Sequence, residues 1–512
     1  MSPIVVHEHV AAVDMGSNSF RLQVGRIVGN QIYPLDGLKA TVRLAAGLTA
    51  DKMLDAASQQ RALDALSRFG ERLRDFSPDA VRAVATNTLR VAKNGPEFLA
   101  QAEAALGFPI EIIAGREEAR LIYLGVAHTL PDPRVRHLVV DIGGGSTEFI
   151  IGQNIEPIQL ESLYMGCVSF SLRFFPDDRI TKRGMKDAEL AARRELQTIT
   201  QAYRDTGWEE AVGSSGTAKA IRDILELNGF ADGSITREGL DRLRSRLVQA
   251  GDPTRAALQG MRPDRVPVIA GGVAIMSAVF KEFGLENMTF SEGALRLGVL
   301  YDLVGRYHHE DLREATVSRF MQRYEVDRRQ AARVSLMALE FLQQLRPEDS
   351  IEESAAAQFL GWAGRLHEIG ISIAHSSFHK HSAYILTHAD MPGFSRRDQA
   401  LLARLVLAHR GKLERVQPLT RVAPEWLLIF CLRLAAVLHR ARDDAALPEI
   451  LVSMTARGFQ MQIDHDWLDN APLTMAVLAE ETQQWANVGI ELKLRGRRRT
   501  PDGKSAADSA DG

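Results

Sequence analysis

The chain has 512 residues, 45% of them hydrophobic and 25% charged, an ordinary globular balance but too long for one core, so three or four domains are expected. A formal net charge of −3 excludes a protein that holds polyanions by its overall field, so an acidic substrate needs a local basic patch. Two cysteines, Cys167 and Cys431, exclude a disulfide framework and a cysteine-rich zinc site and fit a reducing compartment.

The opening MSPIVVHEHV lacks a charged segment followed by an apolar one, so no signal peptide is read. No apolar run reads as membrane-spanning; the longest candidate, Trp426 to His439, is broken by Arg433. A cytoplasmic location is expected, with peripheral membrane association as a further option.

In chain order, Val10–Asp14 and Phe20–Ile27 read as strands flanking a tight turn, and Ala56–Phe76 as an amphipathic helix. Val81–Ala85 reads as a strand and Pro96–Leu106 as a helix. His137–Ile142 and Thr147–Ile151 repeat the strand–turn–strand pattern, and Lys182–Thr206 is a long helix. Such alternation argues for α/β layers. From His308 to about Asp444 the pattern is helical, punctuated by Pro347, Pro392, Pro418 and Pro424. Strand-like Ile450–Thr455 and Phe459–Ile463 follow. From Arg495 the chain is polar without apolar periodicity and reads as a disordered tail.

One internal repeat stands out. Asp14-Met-Gly-Ser-Asn-Ser19 and Asp141-Ile-Gly-Gly-Gly-Ser146 share Asp-x-Gly-x-x-Ser, each between two apolar strands. This predicts a duplicated domain with one loop from each half facing a shared cleft. Loops rich in Gly and Ser let backbone amides converge on phosphate oxygens. One such loop alone reads as a hairpin turn; two with matched aspartates read as phosphate loops. The residues so assigned are Ser17 and Asn18 in the first, and Gly143, Gly144, Gly145 and Ser146 in the second. No Gly-Lys-Ser/Thr follows either, so neither is a Walker A loop.

Asp14 and Asp141 end strands beside these loops, and Glu148 lies seven residues after Asp141. All three are candidate Mg²⁺ ligands. A further loop, Gly213-Ser-Ser-Gly-Thr217, opens a helix carrying Lys219; anion binding at Ser215 and Gly216 and close helix–strand packing both stay open for it. Ala270-Gly-Gly272 is read as a loop preceding a helix, with packing favoured. Arg21, Arg90 and Lys219 are the cations expected to grip phosphate.

These segments, with Ala85-Thr-Asn-Thr-Leu-Arg90, Gly115-Arg-Glu-Glu-Ala-Arg120 and Phe290-Ser-Glu-Gly-Ala-Leu-Arg296, occur in the order seen in one family. The chain resembles exopolyphosphatases and guanosine pentaphosphatases from its first motif to about Arg495. The resemblance implies an α/β fold of duplicated actin-like, ribonuclease-H-like domains. An all-α HD-like domain and a small α+β domain should follow. The expected divisions are 1–124, 125–307, 308–446 and 447–495, with a tail over 496–512. It also implies Mg²⁺-dependent removal of terminal phosphate, a catalytic glutamate at Glu118 with Glu117 as the alternative, and a homodimer. Leu297 departs from the family pattern, which has Glu there.

Within the family, Tyr164-Met-Gly-Cys-Val-Ser-Phe170 and His379-Lys-His-Ser-Ala-Tyr-Ile-Leu386 lean toward inorganic polyphosphate as substrate, with guanosine pentaphosphate as the alternative and no specific nucleic-acid partner. An actin-fold ATPase or kinase and a non-catalytic binder of guanosine tetraphosphate remain as rivals. Six histidines fall between His367 and His409. His367-Glu368 resembles the His-Asp core of HD phosphohydrolases, but Glu replaces Asp and Ala436 stands where a ligand Asp belongs. An HD-like fold without its metal centre is expected. His379, Lys380 and His381 are read as a cationic track for a polyanion.

Overall fold

In a computed structural model, the structure describes residues 7–497 apart from 29–30, 133, 308–310, 347–354, 417–418, 420–423 and 445. The chain separates into two compact units, one reaching Asp311 and taking in Pro392–Arg396, the other Leu312–Met391 with the chain from Arg397 onward.

The first unit holds two sheets. β1 (His9–Met15), β2 (Phe20–Val28), β3 (Gln31–Ala40), β4 (Val81–Ala85) and β5 (Ile110–Ile112) lie in the order β3-β2-β1-β4-β5. The second sheet contains β6 (His137–Ile142), β7 (Thr147–Gln153), β8 (Glu156–Leu163), β9 (Glu210–Ser214), β10 (Ile235–Thr236) and β11 (Asn287–Phe290), in the order β10-β11-β9-β6-β7-β8. In both, the first three strands pair antiparallel and two more join parallel, β4 and β5 in the first sheet and β9 and β11 in the second, where β10 is an added antiparallel edge. Even the irregularities match: β2 slips against β3 at Gly25, and β7 against β8 at Gly152. The expected duplication is therefore present in five strands of each sheet, and β10 has no counterpart in the first.

β6 is buried along its whole length and β1 nearly so, because both faces of each sheet are covered. The inner faces share one layer made by the helices Gly115–Ala127 and Leu295–Tyr307. Val10, Ala12 and Val84 from the first sheet and Val139, Ile150 and Val212 from the second join that core. The two helices approach closely at glycines. A Cβ on Gly298 would lie 1.7 Å from the Leu121 carbonyl oxygen, and one on Gly125 2.3 Å from that of Ala294. Only a bare backbone fits there.

Several expectations change. The Ala56 helix stops at Leu73. β3 was not read as a strand because Pro34, Asp36, Gly37 and Lys39 break the apolar alternation, as an exposed edge strand permits. Ala270–Gly272 is not a loop before a helix but lies within the helix Ile269–Phe283, where Gly271 packs on Cys167 and Ser171. Val266–Phe283 is also long and apolar enough to cross a membrane, contrary to the reading above. It is 72% buried and packs as a core helix of the second lobe.

The second unit is helical, as expected, and ends in a small sheet of β12 (Leu451–Thr455), β13 (Gly458–Asp464) and β14 (Glu491–Arg497). β14 pairs parallel with β13, so Arg495–Arg497 belong to a strand and not to the expected tail; residues 498–512 lie outside the described residues. Arg433, the residue that interrupts the apolar run Trp426 to His439, is buried and satisfied by Glu481 and the carbonyls of Ala408 and Gly411. His367 and His409 each donate Nδ1–H to a backbone carbonyl, of Gly364 and Val406 respectively. His379 is buried, not surface-exposed, and its Nε2 accepts from Arg415 at 3.0 Å. Burial and the charge of Arg415 pull its pKa down to about 4, so it is neutral and adds nothing to a cationic track.

Candidate active site

Matched turns carry most of the site. In the first lobe Asp14 ends β1, and its register partner across the hairpin is Arg21 on β2. In the second, Asp141 on β6 has Glu148 on β7 at the same register position. The duplicated hairpin thus presents an acid and a base in one lobe, and two acids in the other.

The turns face one another. A Cβ on Gly144 would stand 2.9 Å from the Ser17 Cβ and 3.2 Å from the Asn18 nitrogen. Behind the second turn, the helix Cys167–Phe174 donates its first amides to the loop carbonyls: Cys167 to Gly143, and Val168 and Ser169 to Gly144. Gly166 must lack a side chain, since its Cβ would lie 2.3 Å from the Gly144 carbonyl. With those carbonyls held, the amides of Gly144, Gly145 and Ser146 donate to no other group among the described residues, and neither do those of Gly16 to Ser19. Such amides are anion donors. Ser17 Oγ accepts from Thr88 Oγ1 at 2.8 Å, which leaves its own proton for a ligand. Asn18 Oδ1 and Ser19 Oγ are buried without partners.

A cleft of about 160 Å³ lies between these turns. Its lining includes Asp14, Ser17, Asn18, Arg21, Glu118, Asp141, Gly143, Gly144, Ser146, Glu148, Ser215, Gly216 and Lys219, all expected from sequence. Gly145 and Arg90 do not reach it. Gly145 turns toward Asn87, whose amide nitrogen would be 2.2 Å from an added Cβ. Arg90 lies behind Glu118, donating from Nη1 to Glu118 Oε2 at 3.2 Å and to the Ile113 carbonyl at 2.8 Å. It touches the glutamate instead of facing the cleft.

Glu117 and Glu118 occupy the first turn of their helix but face different surroundings. Glu117 is bound by Arg120 at 2.7 Å, in a buried network with Asp302 and Arg82. Glu118 lines the cleft; its Oε2 meets Arg90, and its Oε1 makes no hydrogen bond among the described residues. Burial pushes the Glu118 carboxyl up to about 7, with Arg90 opposing and the charges of Asp14 and Asp141 adding. Burial raises Asp141 to about 6, opposed by the hydroxyls of Ser215 and Ser214. Glu148, held by Ser162 Oγ at 2.8 Å, is driven well above the carboxylate range by burial and then by Glu118 and Asp141. Asp14 is raised by burial, against Arg296 and Arg21. Burial raises all four carboxyls, and the charges of neighbouring acids add to the rise at Glu118, Asp141 and Glu148. Their all-oxygen donor set fits a hard divalent ion such as Mg²⁺.

The third loop resolves toward the cleft. Ser215 opens the helix Ser215–Leu227 with φ 71°, and its hydroxyl and that of Thr217 both donate to the Ile142 carbonyl. Lys219 reaches the cleft but is paired with Glu292. Sequence reasoning missed Arg265, Arg296, Thr217 and Cys167 as lining residues. Arg296 closes a quoted motif and stands 4.0 Å from Asp14, so its motif was an available signal. Arg265 had none.

The model for the Ppx/GppA phosphatase family matches residues 23–307, and that for Ppx/GppA phosphatase, domain III, matches 312–482. A guanosine-5'-triphosphate,3'-diphosphate pyrophosphatase of Pseudoalteromonas translucida is 36% identical over 94% of this chain and 97% of its own length. The Vibrio vulnificus protein of the same name is 37% identical over 95% and 98%. Among solved structures, an exopolyphosphatase from Cytophaga hutchinsonii is 26% identical with a TM-score of 0.54, covering 58% of this chain and 98% of that one. A Ppx/GppA family member from Aquifex aeolicus is 26% identical with a TM-score of 0.50, over 59% and 99%.

Proposed function

This chain belongs to the Ppx/GppA phosphatase family, and from that premise we propose that it removes the terminal 5′-phosphate of guanosine 5′-triphosphate 3′-diphosphate, releasing orthophosphate and guanosine tetraphosphate. The observation that carries the choice of substrate is the near full-length similarity to relatives bearing that activity in their names. It outweighs the sequence-based lean toward polyphosphate. Part of that lean rested on His379, which is buried against Arg415.

Phosphoanhydride hydrolysis depends on charge neutralisation and an aligned water more than on covalent catalysis. The free amides of Gly144 and Ser146 and of Gly16–Ser19, with the Ser17 hydroxyl, cradle the phosphates on either side of the bond to be cut. Arg21, Lys219 and Arg296 lie along the cleft to offset the charge of the remaining phosphates. Asp141 and Glu148, with Asp14, would hold Mg²⁺, which when bound neutralises charge building on the transferred phosphate. Glu118 Oε1 accepts the proton of the attacking water as its oxygen bonds to the terminal phosphorus and the bridging P–O bond breaks. A carboxyl poised near 7 suits that task. Arg90 fixes the other oxygen and so orients the base.

Inorganic polyphosphate is the second reading, favoured by the likeness of 58% of the chain to a solved exopolyphosphatase. The two are separated by measuring phosphate release from each substrate at equal Mg²⁺. We expect a higher kcat/KM on guanosine pentaphosphate, with guanosine tetraphosphate as product. Release from polyphosphate alone would overturn the substrate. Saturable nucleotide binding with no release would overturn catalysis.

A further inference from the structure

The second lobe holds a cavity of about 530 Å³ between the helices Lys182–Thr206, Arg237–Ala250 and Ile269–Phe283. The catalytic cleft, at about 160 Å³, shares no lining residue with it. The helix Ile269–Phe283 is apolar enough to cross a membrane, yet it carries Ser277 and Lys281, four residues apart and so on one face. Both line this cavity. A helical serine turned inward ordinarily donates to the carbonyl four residues back, but the Ser277 hydroxyl is buried without any partner. A buried hydroxyl in that state is unfavourable unless something binds it.

Cations outnumber acids on its walls. Lys186 and Lys281 are exposed and make no ion pair among the described residues. Arg193, Arg237 and Arg244 are half-buried, and an acid steadies each of them. Arg193 Nε donates to Glu282 Oε1 at 2.5 Å, Arg237 Nη2 lies 3.1 Å from Glu286 Oε1, and Arg244 takes both oxygens of Glu189. These pairs fix the guanidinium forks without using them up. Both Nη groups of Arg193 and Nη1 of Arg244 donate to nothing among the described residues. Asp241 is the remaining acid on the wall. Five cations thus meet four acids, a balance that suits an anion of low charge and not a long polyanion. The buried part of the lining is apolar, made by Leu240, Ala278 and Phe280.

We propose that this cavity is a second ligand site, separate from the catalytic cleft, for a phosphate monoester with one flat ring, of the size and charge of a nucleoside monophosphate. Its phosphate meets Lys186, Lys281 and the free guanidinium N–H groups, whose fork geometry matches phosphate oxygens. Its ring lies on Leu240 and Phe280, and one of its oxygens accepts the Ser277 proton. A cavity of this volume, apolar within and bearing a few placed polar groups, is of the kind that takes small organic ligands. The proposal does not depend on which phosphoanhydride the cleft cuts.

Calorimetry on the full chain tests it, with adenosine monophosphate as the probe beside adenosine and inorganic phosphate. The probe should bind with a dissociation constant on the order of 10⁻⁴ M, and adenosine and phosphate about tenfold or more weakly. Lys281→Glu, which reverses a wall charge, and Ser277→Leu, which fills the cavity, should each weaken the probe about tenfold or more, with phosphate release at the cleft within about twofold of wild type. Arg21→Met, in the catalytic cleft, should leave probe binding as it is. Absence of binding at millimolar probe overturns the proposal, as does equal binding of inorganic phosphate. Probe binding that is lost in Arg21→Met and kept in Lys281→Glu puts the ligand in the cleft and overturns it too. Lys281 is exposed, so its variant carries the test should Ser277→Leu fold poorly.

Discussion

The two lobes of the first unit share the order of five strands and the register and bulge of their hairpins, yet those hairpins carry different charges. Asp14 faces Arg21, while Asp141 faces Glu148. One substitution of type at a matched position separates a lobe suited to gripping an anion from one suited to gripping a cation. Both lobes carry a turn with free amides, and one register position gives the two turns different charge.

That division predicts unequal losses. Glu148→Gln in the second lobe should lower kcat by a factor on the order of 10³, because removing one ligand from a charge-neutralising set acts on the transition state. Phosphate release within tenfold of wild type would break the assignment. Arg21→Met in the first lobe should act mainly on KM. A rise of about tenfold to a hundredfold is expected for a lost charge-assisted phosphate contact. If Arg21→Met lowers kcat as much as Glu148→Gln does, the lobes do not differ as described.

A smaller effect sharpens the same contrast. Glu118 and Asp141 have folded-state values near 7 and 6, above the ordinary carboxylate value, and Glu148 is also raised well above it. Acids raised by folding bind more protons when folded than unfolded. Their contribution is therefore full at about pH 4 and is lost as pH climbs through 6 to 7. In chelator, the melting temperature should fall by a few degrees over that range, and Mg²⁺ should flatten the slope. A melting temperature that rises with pH in chelator would contradict the acid cluster.

Much of this was legible in the sequence because its signals are local. Strand–turn–strand patterning around Asp14 and Asp141, and Gly/Ser turns between, need only a few neighbouring residues to be recognised. β3 was not legible, since an edge strand can carry Pro34, Asp36 and Gly37 without loss. Arg90 was expected to grip phosphate, but no pattern shows which way a guanidinium points; here it points at Glu118. Arg265 comes from a segment with no motif, and only the folded chain lays it over Gly216. His379 misled because a His-Lys-His run looks exposed, while its place on the helix Phe378–His388 buries the first histidine and leaves the lysine out.

The most direct test is Glu118→Gln, read as single-turnover phosphate release beside equilibrium binding of guanosine tetraphosphate. Release should slow by a factor on the order of 10² or more while binding shifts by less than about threefold. Turnover close to that of wild type would remove Glu118 from the chemistry and leave the cleft without its base.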